Sequence, residues 1–204
     1  MRPGKKVGIP IALFRLQRYT EVERSLGFSM DTKFKTALEF TLKWEGGYVN
    51  HPADPGGATN RGIIQSVYDA WRNQEGLTPR SVWFISDDEV EEIYRLKYWG
   101  PSKAAIMVLP LAVVQFDTAV NFGVQGAIMF LQEAINAPPI DGIWGAITEG
   151  QFQKNNTKAT ALKICDGRIE YRYQRVRQNG SQRVFLQGWL NRDNDLKAFI
   201  GGMN

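Results

Sequence analysis

Apolar residues in this chain recur at three- and four-residue intervals, and the two-residue alternation of a half-buried strand is scarce throughout. A chain patterned this way packs helices rather than sheets. Asp31 reads as an N-cap, and Phe34, Leu38, Leu42 and Glu45 follow along one helical stripe that Gly46-Gly47 should stop in the manner of a glycine C-cap. Residues 50–62 (NHPADPGGATNRG) are dense in Pro, Gly, Asn and Asp and predict an irregular loop or tight hairpin. Ile64, Val67, Tyr68 and Trp71 predict a helix over about 63–72, and Ser86 with Glu89 forms a capping box for one reaching Gly100-Pro101. Further helices are expected over about 109–122, 125–135 and 158–178, with a loop at 138–145 (PPIDGIWG). The expected fold class is mainly α, with at most a small β-hairpin near residues 48–65.

At 204 residues, 43% hydrophobic and 23% charged, the chain can bury one large core or two small ones. Two lobes of one compact unit is the organisation we expect. Cys165 is the only cysteine, so an intrachain disulfide and paired CxxC metal motifs are excluded; the sole histidine, His51, leaves no His-rich metal site. We read Cys165 as a buried cysteine rather than a nucleophile served by His51. The net charge of +4 favours polyanionic partners: nucleic acid, acidic membranes or bacterial wall polymers. No apolar run reaches the roughly 18 residues of a membrane span. Arg2, Lys5 and Lys6 precede a short apolar patch over 7–14, but Pro10 interrupts it, Arg15 and Arg18 cut it short, and no Ala-x-Ala site follows, so no signal peptide is read. Residues 1–30 are expected to be an N-terminal extension, disordered or upstream of a natural start at Met30.

Glu45 is the candidate for the chemistry. A carboxyl on an apolar stripe at a helix's last turn is pushed toward its neutral form both by burial and by the negative end of the helix dipole. A carboxyl that keeps its proton near neutrality suits a general acid that must protonate a glycosidic oxygen. The plain alternative is a surface Glu at the helix edge. Nine positions later Asp54 stands in the glycine-proline loop, followed by Thr59, and a chain reversal after Gly46-Gly47 would bring all three to one cleft. An inverting glycosidase needs such a second carboxylate to place water. Asp54 as an Asx-turn residue and Thr59 as a turn hydroxyl are the structural alternatives.

The run Trp44-Glu45-Gly46-Gly47-Tyr48-Val49-Asn50, with Asp54-Pro55-Gly56-Gly57-Ala58-Thr59-Asn60 and Gly62-Ile63, resembles the signature of glycoside hydrolase family 108, the EGGY-type N-acetylmuramidases. The likeness continues through Tyr94, Tyr98-Trp99, Pro101, Phe116-Asp117 and 119–123. From about Met107 onward the chain is similar to the peptidoglycan-binding domain that accompanies this module, through Leu131-Gln132, 141–145, Thr148, Arg168, Tyr171 and 185–192 (FLQGWLNR). The resemblance implies a lysozyme-like two-lobed helical fold, a catalytic region at 31–106 and a helical peptidoglycan-binding region at 107–204. It also implies hydrolysis of the β-1,4 bond between N-acetylmuramic acid and N-acetylglucosamine, Glu45 as the catalytic residue, and no cofactor or metal. Departures are His51, where relatives commonly have Asp, Arg61-Gly62, where many have Tyr-Gly, and an Asp54-to-Thr59 interval one residue shorter than in phage-type lysozymes. Lytic transglycosylation and non-catalytic wall binding or secretion assistance stay open as alternatives.

Candidate substrate-binding residues are Tyr48 and Trp99 for stacking, Asn60 and Gln65 for acetamido groups, and Asp117 with Asn121, one turn apart in an apolar helix, which either line the cleft or bridge the lobes. Trp44 and Trp144 are stacking or core residues. The segment with Lys158, Lys163, Arg168, Arg172, Arg175, Arg177 and Arg183 reads as a solvated basic helix or as an attractor of anionic wall polymers. The expected partner is the peptidoglycan glycan strand, met outside the inner membrane in periplasm or extracellular space after export by a holin or a secretion system. A monomer is expected, with no nucleic-acid motif and no stable membrane insertion.

Overall fold

Helix α1 (Glu21–Trp44) begins ten residues before the expected cap, so Asp31 lies inside it. The stretch from Glu21 contains good helix formers and no proline, and nothing in it ends a helix at Asp31. Residues 21–30 are thus part of the helix. The structure, a computed structural model, describes residues 21–50 and 57–203. After Trp44, Gly46 and Gly47 end the helix without entering the left-handed region, so the expected glycine C-cap is absent.

Strands β1 (Thr59–Asn60) and β2 (Ile63–Ile64) pair antiparallel in the register Thr59 to Ile64 and Asn60 to Ile63. Val49 adds an isolated bridge to Thr59, giving the small hairpin expected near 48–65. Its two-residue turn, Arg61-Gly62, has positive φ at both positions (50° and 74°), the twist that closes tight hairpins. Because Ile63 and Ile64 are spent on this ladder, helix α2 starts later than expected and spans Gln65–Gln74. Helix α3 (Asp87–Tyr94) carries the expected capping box, with Ser86 Oγ accepting from the Glu89 N–H and the Glu89 side chain reaching back to the Ser86 N–H. A π-helical turn, Arg95–Trp99, continues it.

Helix α4 (Leu109–Ala134) is broken at Gly123 (φ 77°, ψ 162°), matching the two helices expected there. Its first half is buried on every side from Leu111 to Ala119, as befits a helix at the centre of the molecule. Phe116 meets Phe34 and Trp99 edge-on, with ring centroids 5.8 and 5.7 Å away. Helices α5 (Ala146–Asn155), α6 (Lys158–Gln178) and α7 (Arg183–Gly201) follow, and α6 packs against both α4 and α7. Residues 33–204 form one compact unit, and the helical residues before Lys33 belong to a second. Among the described residues no helix is long and apolar enough to cross a membrane.

Candidate active site

Thr41 is fully buried on α1, and Glu45 stands one turn beyond it, where the Glu45 N–H still reaches the Thr41 carbonyl at 3.2 Å. This seats the Glu45 side chain at the mouth of the core with 21% of its surface exposed. The seat is not simply apolar, as the sequence led us to expect. Arg192, from the middle of α7, donates from Nη1 to Glu45 Oε1 at 2.9 Å. Tyr94 from α3 and Tyr98 from the π turn lie close enough for the Glu45 charge to act on both phenols, although burial is the larger cause of their raised pKa values. Both therefore remain neutral hydroxyls. Tyr94 donates to the Arg61 carbonyl at 2.8 Å, which holds the hairpin turn against the acid. A Cβ at Gly62 would lie 2.5 Å from Tyr94 Oη and 2.8 Å from Glu45 Oε2, so only glycine lets the turn approach this closely.

Behind Glu45 lies a chain of ions. Arg192 Nη2 donates to Asp117 Oδ1 at 2.7 Å, Arg168 Nη1 to Asp117 Oδ2 at 2.8 Å, and Arg168 Nε to Asp193 Oδ1 at 2.9 Å. Arg172 Nε completes the series on Asp193 Oδ2 at 3.0 Å. Thr41 and Thr118 hydroxyls bond to Asp117 and Arg168, so every charge has partners, as burial demands. Asn121 places its amide against Arg192 and Arg172; with its oxygen turned to Arg192 it accepts from Nη2 at 2.8 Å. Burial pushes the Asp117 carboxyl up, but Arg168 and Arg192 outweigh it and hold it below the usual carboxylate range.

The structure gathers some candidate residues and disperses others. Thr59 sits in the hairpin, its backbone paired with Val49 by two bonds of 2.8 Å. Tyr48 meets Trp83 edge-on at 4.4 Å, and Trp83 is 55% exposed, so a partly open aromatic pair flanks the hairpin. Asn60 and Gln65 spend their amides internally, Asn60 donating to the carbonyls of Val82 and Trp83, and Gln65 clasping the Arg80 carbonyl and the Val82 N–H. That fastening holds Trp83 beside Tyr48.

Trp99 is buried core against Phe34 and Phe116 and offers no face to a sugar. Asp117 is fully buried and serves the ion chain, not the cleft; Asn121 stands half-buried beside it. Asp54 and His51 lie outside the described residues. Trp44 is half-buried and donates to Asp195 at 2.8 Å, and Trp144 donates to Glu149 at 2.6 Å, so both are tied into the frame. Asp141 forms an Asx turn to Ile143 and is held by buried Gln132. Cys165 is buried, its thiol pushed up to about 12 chiefly by burial, and supplies no nucleophile near neutrality.

Arg168 and Arg172 correct the reading of a solvated basic helix: both point inward, whereas Lys163, Arg175, Arg177 and Arg183 are exposed. Their signal was present in the sequence, since Arg168 and Arg172 continue the apolar stripe of Ala161, Ile164 and Cys165. Arg192, Gly62, Trp83 and the two phenols are the site residues that pattern reasoning missed. Among the described residues, no cluster of His, Cys, Asp and Glu could hold a metal ion. A cavity of about 380 Å³ between α4 and α6, lined by Phe122, Phe130 and Tyr171, does not include Glu45.

Seven helices with one small antiparallel hairpin make this a mainly helical, lysozyme-like fold, and Glu45 stands at a helix end within it. Residues 38–123 match the family model described as Glycosyl hydrolase 108, which supports glycoside hydrolase activity. Among solved structures, the chain is similar to "Structure of Brucella abortus SagA", with 28% identity, a TM-score of 0.65, and coverage of 83% of this chain and 94% of that one. No curated protein sequence matches the chain.

Proposed function

We propose that this chain is a peptidoglycan hydrolase of the muramidase type, which cleaves the β-1,4 bond between N-acetylmuramic acid and N-acetylglucosamine with Glu45 as general acid. The single observation that carries this reading is the seat of Glu45. It lies inside the matched segment, at the end of α1, partly shielded from water and close to the neutral phenols of Tyr94 and Tyr98. Glu45 gives its proton to the leaving oxygen, which takes the bond pair as the glycosidic bond breaks. Asp54, helped by Thr59, takes a proton from the water that adds to the anomeric carbon, the division of labour of an inverting glycosidase. Tyr48 and Trp83 supply the aromatic faces for a pyranose ring.

The remaining assignments belong to the same reading. Residues 107–204 serve wall binding, the protein acts as a monomer on glycan strands in periplasm or outside the cell, and a holin or dedicated exporter delivers it there. Neither a cofactor nor nucleic acid takes part. The test is Glu45→Gln, which keeps the shape of the side chain and removes the acid. Loss of turbidity clearing on purified peptidoglycan by about 10²–10⁴-fold, with an unchanged circular dichroism spectrum, is expected. Clearing at the normal rate would remove Glu45 from the mechanism.

A further inference from the structure

Resting on that reading, we infer that Arg192 is a positioning residue of the reaction: it fixes Glu45 for proton delivery and stabilises the carboxylate left behind. Arg192 lies well beyond the matched segment, which ends at Gly123, so the guanidinium bonded to the acid comes from a helix that the resemblance gives to wall binding.

The geometry is that of a shared clamp. Arg192 presents Nη1 to Glu45 at 2.9 Å and Nη2 to Asp117 at 2.7 Å, and its side chain is only 10% exposed. A planar guanidinium with donors fixed on two sides can bridge two carboxylates in this way, and a lysine ammonium cannot do so with the same geometry. Asp117 is itself held by Arg168 and Thr41, so Arg192 is anchored from behind and Glu45 is aimed by it.

Charge counting gives the second half. With Glu45 ionised, three carboxylates (Glu45, Asp117, Asp193) face three guanidiniums (Arg168, Arg172, Arg192), and the buried cluster is neutral. While Glu45 holds its proton, the cluster carries one excess positive charge. Handing the proton to the glycosidic oxygen removes that excess, so the cluster favours the state formed as the bond breaks. Among the described residues, the other titratable groups close to Glu45 are the neutral phenols of Tyr94 and Tyr98; the guanidinium of Arg61 is turned away onto Asp87.

The test is kcat and KM on solubilised glycan strands for the full chain and for Arg192→Gln, Arg192→Lys and Glu45→Gln. In Arg192→Gln we expect kcat to fall about 10- to 100-fold with KM nearly unchanged, because the interaction lost is one that strengthens as the proton leaves. Arg192→Lys keeps the charge and loses the bridge. It should restore part of the rate and leave kcat several-fold below the wild type. A folded Arg192→Gln with the wild-type kcat, or an Arg192→Lys with the wild-type rate, overturns the inference, and the lysine variant decides alone should the glutamine variant fail to fold. Activity in Glu45→Gln would instead overturn the assignment of the acid, so the two failures are separable.

Discussion

At position 62 one methyl group is enough to test the site. Gly62 has φ 74°, and an added Cβ would collide with the Tyr94 hydroxyl and the Glu45 carboxylate. Gly62→Ala should therefore displace the acid and strain the turn. We expect a stability loss of about 1–3 kcal/mol by thermal melting and a fall in activity larger than the melting shift explains. The place of Glu45 at a helix end was legible in the sequence because an apolar stripe runs up to it and a glycine pair follows. Arg192 was not legible: its role depends on α7 folding back against α1 and α4, a contact between residues 147 positions apart. Trp99 misled for the converse reason, since aromatic rings look alike in sequence whether they face a sugar or, as here, Phe34 and Phe116.

At the scale of elements, α3 is fastened at its start by more than its cap. Glu89 accepts from the Ser86 N–H, from the Tyr68 hydroxyl at 2.8 Å, and from Arg72 at 2.8 Å, with Arg80 as a further partner. Burial pushes this carboxyl up, yet the hydrogen bonds from Ser86 and Tyr68 and the charge of Arg80 bring it below its usual range. Glu89→Ala removes the capping box and leaves Arg72 buried without its anion. A loss of about 2–4 kcal/mol in denaturant titration is expected, without a change in the pH limbs of activity. In the hairpin, Trp83→Ala should raise KM several-fold with kcat nearly unchanged, because it removes a binding face and no reacting group. Steady-state rates on glycan strands give that split.

The capping box, the small hairpin and the break in α4 were all readable, because each is written in local chemistry: Ser86 with Glu89, Arg61-Gly62, and Gly123. Helices α5 and α7 were not. The inward side of α5 is only Thr148 and Phe152, and the buried residues of α7 are Arg192 and Asp193 beside Leu196 and Ile200, a mixture that hydrophobic periodicity does not register.

For the molecule as a whole, the ion chain around Asp117 is both a stability element and the rear wall of the site. Its folded-state pKa is depressed, so its contribution is complete above the unfolded value of about 4 and is lost as pH falls through the folded one. Melting temperature should hold from neutrality to about pH 5 and fall below about pH 4. Asp117→Asn should flatten part of that fall while costing about 3–5 kcal/mol at neutral pH, since Arg168 and Arg192 would then be buried short of an anion. The mainly helical frame was evident from period alone; its ionic centre was only half written there, since Arg168 and Arg172 continue an apolar stripe whereas Asp193 and Arg192 lie on a helix that hydrophobic periodicity does not register. The central claim is that Glu45 drives hydrolysis of the glycan. It is tested most directly by mass spectrometry of the products released from sacculi by the wild-type chain and by Glu45→Gln. We expect reducing N-acetylmuramic acid ends from the wild type and none from the variant; 1,6-anhydro ends, or equal release by both, would contradict it.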